Sequence, residues 1–377
     1  MSEVHVVRRS RLRERCATSA ADGSPADAVL VSRPANIRYL TGRAPSGASL
    51  LLGAGGQDTL LLPAACDTPE PGVAHAHPGD ELRIERLPGP DGDTAVAAAD
   101  LAAKQGAREL AVEEHHLTVS RHRAVTSVAP RLRLTGLGTA VEQQRVIKDD
   151  AEISALRIAA EITDQALGEL LESILVGRTE RHLALELERR LIDHGADGPA
   201  FPTSVGAGGN SGLPGHRPTD RRVEEGDFLS VRLGARYQGY GCQIGRTFVI
   251  GTAPDEWQIE LYDLVFAAQR AGREALAPGA ACRDVDHAAR QVLDAGGYAD
   301  ALGVATGHGV GLEIGEDPRL SPAAMGKLDA CVPVTVEPGV HLPGRGGVRI
   351  DDTLVVRPPA DGGPELLTIT TKELLAL

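Results

Sequence analysis

Aromatic residues are scarce in this sequence: they make up 3% of its 377 residues, with one Trp and four Phe. Lysine is scarce as well, since it supplies only four of the 39 basic residues. The cores must therefore be built from Ala, Val, Leu and Ile, which belong to the 42% of residues that are hydrophobic. A chain of this length and hydrophobic content is expected to form two domains, each with its own core.

Closely spaced cysteines and long apolar runs are also missing. The five cysteines are odd in number, widely spaced and contain no C-x-x-C, which argues against a disulfide framework and against a zinc knuckle. The N-terminal stretch is charged and has no apolar segment after it, so we expect no signal peptide. No apolar run approaches the roughly 18 residues that a membrane span needs. We therefore expect a cytoplasmic protein with no membrane partner.

The charge balance argues against nucleic acid as a partner. The formal net charge is −13 and no basic stripe is present, whereas Lys and Arg contacts to phosphate dominate nucleic-acid affinity. Basic residues cluster at Arg8, Arg9, Arg11 and Arg13, which we interpret as a solvated helix face.

A second local cluster, Glu113-Glu114-His115-His116, contains groups that can bind metals. Adjacent residues point apart on either a helix or a strand, so we do not expect a metal site there.

The first 138 residues alternate short strand and helix patterns. Residues 28–31 predict a buried strand, 34–36 a turn, and 49–52 with 59–62 a hairpin. The stretch 68–92 is rich in Pro, Gly and acidic residues and is expected to be a surface loop, whereas the Ala-rich stretch 93–105 predicts a helix. We predict a first domain at 1–138 and a linker at 139–150.

From residue 151 onward the pattern becomes helical and then repeats. An apolar stripe from Ile153 to Ile174 predicts one helix, and Thr179 caps a second; strand-like runs follow at 228–233 and 243–250. The same order recurs with helical patterns near 257–271 and 285–293 and strands at 332–337 and 347–356. Two such helix-pair-plus-hairpin units predict one domain, 151–377, with a cleft between its halves.

Motifs spread over nearly the whole chain resemble the family of creatinase, Xaa-Pro aminopeptidase and prolidase. In chain order they are Ser32–Gly42, Arg145–Lys148, Phe201–Thr203, Asn210–Pro214, Gly239–Phe248, Thr306–Leu312, Val336–Gly339 and Gly347–Thr353. The resemblance implies an α/β (α+β) protein, in which a creatinase-like N-terminal domain precedes a pita-bread domain. It also implies a homodimer.

The peptidases of this family hold two divalent metals in the cleft, where four carboxylates offset the two dications and the metals acidify a shared water. The resemblance places the five ligand positions here at Arg232, Gln243, His308, Glu337 and Asp351. The family usually has Asp at the first two positions and Glu at the last. Only His308 and Glu337 therefore match, and Asp351 is one methylene shorter.

The polar groups around the reacting centre are altered too. The two substrate-side histidines of the family fall on Gly215 and Gly315, and a histidine displaced by one stands at His216. Arg349 is retained. The resemblance thus implies Arg349 as a substrate-binding residue, with His216 and Arg232 as further candidates.

Arg232 would add a permanent positive charge to the cleft. A dication about 4 Å from a guanidinium meets repulsion of ~8 kcal/mol at an effective dielectric near 20. We expect no metal pair and no cofactor, and instead a bidentate pair of Arg232 with Glu337 or Asp351. One weakly bound Mn, Co or Zn held by His308, Glu337 and Asp351 stays open.

Three functions follow from this site. The first is a peptidase-derived protein that has lost two-metal hydrolysis and binds a peptide or small molecule in its cleft. The second is a metal-free C–N hydrolase of the creatinase type, using His308 or His216 with Glu337 as catalytic groups. The third is a residual single-metal Xaa-Pro aminopeptidase or dipeptidase. His216 could equally be an exposed loop residue, and strand alternation predicts Cys242 to be a buried thiol.

Overall fold

The computed structural model describes residues 2–18, 25–53, 56–65, 82–89, 92–173 and 175–377. Cys66, Ile174 and most of the predicted 68–92 loop lie outside these residues. The chain divides into two compact units, 1–145 and 146–377. This division falls within the segment predicted as a linker, of which residues 140–145 are helical.

The first unit is built around one mixed sheet. Its helices are α1 (Ser2–Thr18), α2 (Pro34–Thr41), α3 (Thr94–Lys104), α4 (Val119–Val128) and α5 (Ala140–Arg145), and its strands are β1 (Ala28–Val31), β2 (Ser49–Leu52), β3 (Asp58–Leu62), β4 (Arg83–Arg86), β5 (Glu109–Val112) and β6 (Arg133–Gly136). The strand order is β4-β3-β2-β1-β5-β6. Small alanines on one face of α3 pack against the sheet, as the shortage of aromatics predicts.

Two secondary-structure predictions for this unit were wrong. The segment 34–36, predicted as a turn, begins α2, because Pro34 occupies the first turn, where no backbone N–H is needed, and Gly42 ends the helix in a left-handed conformation with φ 74°. Within the predicted loop, residues 83–86 form strand β4, which pairs with β3 in parallel.

The arginine cluster on α1 is not a solvated face. Arg8 and Arg9 are buried; Arg8 donates to the carbonyl of Tyr39 and Arg9 to the Asp58 carboxylate. These arginines therefore attach α1 to the rest of the first unit.

The second unit contains two similar halves. Its helices are α6 (Asp150–Leu171), α7 (Glu180–Asp193), α8 (Glu256–Glu274) and α9 (Cys282–Ala295), and its strands are β7 (Gly198–Pro199), β8 (Ser204–Ala207), β9 (Phe228–Leu233), β10 (Ala235–Tyr237), β11 (Tyr240–Gly241), β12 (Ile244–Val249), β13 (Gly307–Val310), β14 (Ile314–Leu320), β15 (Pro333–Val336), β16 (Gly339–Leu342), β17 (Gly346–Arg349), β18 (Asp352–Val355) and β19 (Glu365–Leu366). A helix pair followed by a hairpin occurs twice, which confirms the predicted fold class.

A backbone bridge joins the hairpins of the two halves. Strand β9 pairs with β12 in the first half and β15 with β18 in the second, both antiparallel. An isolated antiparallel bridge joins Gly245 of β12 to Asp351, just before β18. This bridge brings the two hairpins together at the cleft.

The stretch 347–356 is two strands rather than one. Strand β17 pairs with β16, whereas β18 pairs with β15, and the chain passes from one to the other at residues 350–351. Arg349 and Asp351 lie on either side of this change of partner and contact each other. Among the described residues, no helix has the length and apolar character to cross a membrane.

Candidate active-site cleft

The hairpin strands place four polar residues side by side. Arg232 on β9 lies opposite Gly245, which in turn bridges Asp351. Gln243 is locked to the second hairpin because its backbone N–H donates to the Thr353 hydroxyl (3.0 Å), which donates back to the Gln243 carbonyl (2.7 Å). The positions that the resemblance assigns to metal ligands therefore do come together.

Arg349 holds both carboxylates directly. Its Nε donates to the two carboxylate oxygens of Asp351 at 2.7 and 2.9 Å, and its Nη2 lies 2.7 Å from Oε2 of Glu337. The Asp351 side chain is fully buried and that of Glu337 is 9% exposed. Charge-assisted hydrogen bonds of this length are among the stronger ones in proteins.

Arg232 does not form the bidentate pair that we predicted. Its Nη2 donates to Oε1 of Gln243 at 2.7 Å, while its nitrogens lie 3.5 Å from Asp351 and 4.0 Å from Glu337. Its guanidinium also lies over the Phe201 ring, 4.6 Å from the ring centre. Arg349 already occupies the carboxylate oxygens, so Arg232 is left with the amide and a longer-range attraction.

Gln243 contacts both carboxylates as well as Arg232. Its Nε2 donates to Oδ2 of Asp351 at 2.8 Å and also to Oε2 of Glu337. The network therefore contains two guanidiniums, two carboxyl groups and one neutral amide.

The pKa shifts follow from this network. Burial alone would raise the pKa of Glu337, but Arg349, His308 and Arg232 hold it below its ordinary value. Burial raises the pKa of Asp351, which Arg349 only partly offsets. Burial and the neighbouring Arg349 lower the pKa of Arg232.

His308 lies beside Glu337, as predicted. Its Nε2 is 3.6 Å from Oε2 of Glu337, and its Nδ1 lies 3.0 Å from the carbonyl oxygen of Gly309, which fixes the ring orientation. The residue is buried at the edge of the carboxylate network. It remains a candidate catalytic group.

His216 lies elsewhere and is not exposed. Its Nε2 is 2.8 Å from Oε2 of Glu180, a fully buried carboxylate at the start of α7, and the His216 side chain is only 10% exposed. Glu180 also accepts from Ala207, Asn210 and Thr219, so it organises the glycine-rich loop. His216 thus belongs to a loop-anchoring network, and no contact with Glu337 or His308 is found among the described residues.

The two glycines at the positions where the family has histidine both have a left-handed backbone conformation. Gly215 has φ +69° and Gly315 has φ +82°, a left-handed region that favours glycine. A Cβ at Gly215 would meet nothing within 4 Å, whereas one at Gly315 would lie 3.3 Å from the Arg319 guanidinium. The side of the cleft near Gly215 is therefore open.

Cys242 is the buried thiol that strand alternation predicts. It is fully buried, its sulfur lies 3.0 Å from the Thr163 hydroxyl, and burial raises its pKa to about 11. A thiol with this pKa carries almost no thiolate at neutral pH, so it is unsuited to act as a nucleophile.

The first unit contains a group that sequence reasoning dismissed. Glu113, His115 and Glu142 each offer one ligand atom, all within 4.8 Å of one another. Glu113 and His115 are two residues apart, so their side chains can point in the same direction, and α5 contributes Glu142. Its Oε1 already accepts from Arg33 and Asn36, so the group is an internal hydrogen-bond network as well as a possible metal ligand set.

His341 on β16 was overlooked. It pairs with Gly347 on β17, two residues from Arg349 and therefore on the same face of the hairpin. Burial and the nearby Arg349 lower the pKa of His341 to about 4. Alternate residues of a strand lie on the same face, so the spacing of Gly339 and His341 in the sequence could have predicted that the His341 ring faces the cleft.

The fold and the cleft define a two-domain protein of the pita-bread hydrolase class. The model of metallopeptidase family M24 matches residues 154–358, and that of the creatinase/prolidase N-terminal domain matches residues 8–147. The chain belongs to metallopeptidase family M24, as the resemblance predicts.

Its relatives support the same assignment. An Xaa-Pro dipeptidase of Pyrococcus horikoshii is 32% identical over 354 residues, which cover 94% of this chain and 96% of that protein. Among solved structures, an Xaa-Pro dipeptidase from Bacillus anthracis has a TM-score of 0.87 at 29% identity, covering 99% of this chain and all of that one. An X-Pro aminopeptidase from Thermotoga maritima has a TM-score of 0.85 at 28% identity, covering 98% of this chain and all of that one.

Proposed function

We propose that this member of the Xaa-Pro peptidase family has lost the dinuclear metal site and uses its cleft to bind a peptide or small molecule. The observation that carries the proposal is that Arg232 and Gln243 stand at two carboxylate ligand positions and lie against the two carboxylates that remain, Glu337 and Asp351. Two dications need several carboxylates, whereas here only two remain and Arg232 adds a cation beside them. The donor set does not fit a metal pair.

The experiment is elemental analysis of the purified protein after dialysis against Mn, Co or Zn, combined with turnover of Xaa-Pro dipeptides. We expect less than one tightly bound metal per chain and no efficient turnover with added metal. Two equivalents of metal with efficient cleavage would show that the proposal is wrong.

A single bound metal needs to be located, because two groups could hold it. His308→Ala removes a ligand from the cleft, and His115→Ala removes one from the group formed with Glu113 and Glu142. If His308→Ala alone abolishes binding, and the bound metal supports cleavage, the third function, a single-metal peptidase, replaces our proposal.

A metal-free C–N hydrolase is the second candidate, and one observation favours it. His308 lies 3.6 Å from the Glu337 carboxylate, and such a pairing orients an imidazole for general base catalysis. Turnover of amidino or guanidino compounds that persists in chelator and is lost in His308→Gln would establish this function. Binding of such compounds without turnover would favour the first.

We also propose, by the same family argument, a cytoplasmic homodimer that binds no nucleic acid. Sedimentation velocity tests the dimer, and a monomer at micromolar concentration would contradict it.

A further inference from the structure

The β16–β17 hairpin has two chemically different faces. Val340 and Val348 are paired and fully buried in the core formed with α8. Alternation places their neighbours His341, Gly347 and Arg349 on the opposite face, and Arg349 there contacts Glu337 and Asp351. The His341 ring therefore faces the same cleft as the carboxylate network.

The glycine-rich segment forms the next wall beyond His341. The N–H of Gly347 donates to the Ser211 hydroxyl at 3.0 Å, and a Cβ on Gly347 would lie 3.0 Å from the Cα of Gly212. The segment that continues from Gly212 leads to Gly215, whose Cβ direction is open. His341 thus lies opposite Gly347, on the hairpin face that contacts the Ser211–Gly212 segment and carries Arg349.

The two ring nitrogens of His341 differ in their surroundings. Nδ1 is buried with no hydrogen-bond partner, and Nε2 has none among the described residues but is not buried. A buried acceptor without a partner is tolerated more often than a buried N–H without one, so the proton is favoured on Nε2. With its pKa lowered to about 4, the ring is neutral at pH 7 and presents an N–H donor to the cleft.

We propose that His341 is a ligand-binding residue of this cleft, where its Nε2–H donates to an oxygen of the bound ligand. The inference rests on the proposed function and names the chemistry of the ligand: a carbonyl or carboxylate oxygen on the hairpin face that carries Arg349. A peptide ending in proline offers both kinds of oxygen.

The test is calorimetric binding of Ala-Pro to the metal-free protein and three variants. His341→Leu removes the donor and should weaken binding about fivefold, the effect of one ordinary hydrogen bond. His341→Gln keeps an N–H at the equivalent position and should restore most of the affinity. His182→Leu removes an imidazole that is 66% exposed on α7 and should leave binding unchanged.

Ala-pyrrolidide, the amide that lacks the terminal carboxyl group, distinguishes the two oxygen sources. If the effect of His341→Leu persists with this amide, the acceptor is the peptide carbonyl; if it disappears, the acceptor is the terminal carboxylate. Either result supports a hydrogen bond from His341.

Nitrogen NMR of the wild type provides a readout that does not depend on how the variants fold. In 15N-histidine protein, the His341 signals, assigned by their loss in His341→Gln, should show Nε2 protonated at pH 7 and should shift on addition of Ala-Pro. Binding of Ala-Pro with unmoved His341 signals and unchanged affinity in His341→Leu overturns this inference alone. Failure of the wild type to bind Ala-Pro, its amide or related Xaa-Pro peptides overturns the proposed function and this inference with it.

Discussion

At the scale of single residues, the two carboxylates of the cleft have unequal arginine partners. Arg349 is the stronger partner, because three of its contacts with Asp351 and Glu337 are shorter than 3 Å. Arg232 is further away and partly solvated, with its side chain 31% exposed. The two arginines should therefore contribute unequally to stability.

We predict that Arg349→Ala lowers the free energy of unfolding by about 3–5 kcal/mol, because it leaves buried carboxylates without a direct partner. Arg232→Ala should cost about 1 kcal/mol, since it removes one hydrogen bond and a longer-range attraction. Arg270→Ala, on an exposed face of α8, is the matched control and should change stability by less than about 0.5 kcal/mol. Denaturant unfolding at pH 7 measures all three.

The pH dependence of the same variants has a defined sign. The folded-state pKa of Glu337 is lowered, so its interactions stabilise the protein above the unfolded value of about 4.3 and are lost as the pH falls through the folded value. The cost of Arg349→Ala should therefore be present at pH 7 and shrink as the pH falls below about 4.3. A cost that is independent of pH would contradict the assignment of Arg349 to these carboxylates.

At the scale of elements, the contact between β12 and the start of β18 determines where Asp351 points. A Cβ at Gly245 would lie 2.6 Å from Cγ of Asp351 and 3.0 Å from its Cβ. The absent side chain lets the Asp351 carboxylate pack against β12, where it meets Arg349 and Gln243. The Asp351 side chain therefore occupies the space that a side chain at position 245 would fill.

Gly245→Ala should destabilise the protein by about 1–3 kcal/mol, because the added methyl group overpacks a buried contact. Gly168→Ala is the control: it lies within α6, nothing is within 4 Å of its Cβ direction, and it should stabilise the protein by about 0.5–1 kcal/mol. Thermal melts of the two variants should shift in opposite directions. If both shift upward, Asp351 is free to move and does not depend on Gly245.

At the scale of the whole molecule, two glycines limit which side chains the cleft can accept at the positions where the family has histidine. The left-handed conformations of Gly215 and Gly315 disfavour histidine by about 1–2 kcal/mol at each position. Restoring side chains alone therefore does not restore the geometry of the site, and small misplacements at a reacting centre are costly.

We predict that Arg232→Asp with Gln243→Asp increases metal binding without efficient cleavage of Xaa-Pro peptides. Adding Gly215→His, Gly315→His and Asp351→Glu should raise turnover only slightly. Arg232→Ala with Gln243→Ala, which removes the cation but supplies no carboxylates, is the control and should bind less metal. Efficient turnover by the first double variant would show that two residues alone separate this chain from an active peptidase.

The sequence by itself determined the family, the repeated helix-pair-plus-hairpin order of the second unit and most of the residues that meet in the cleft. Local signals suffice for these features: the apolar stripe after Asp149, the Thr179 cap and the glycine-rich turns depend on neighbours within a few residues. The helix at Pro34 was missed because a proline is compatible with a turn and with the first turn of a helix alike.

Only the tertiary structure decided which partner each charged group takes. Gln243 and Asp351 are 108 residues apart, and their contact depends on the bridge between two hairpins. With this bridge in place, Arg349 contacts the carboxylates and Arg232 donates to the Gln243 amide. His216 instead contacts Glu180, away from the cleft. Charge counting identifies the groups that need partners, but the choice among several arginines within reach depends on differences of about 1 Å that only packing sets.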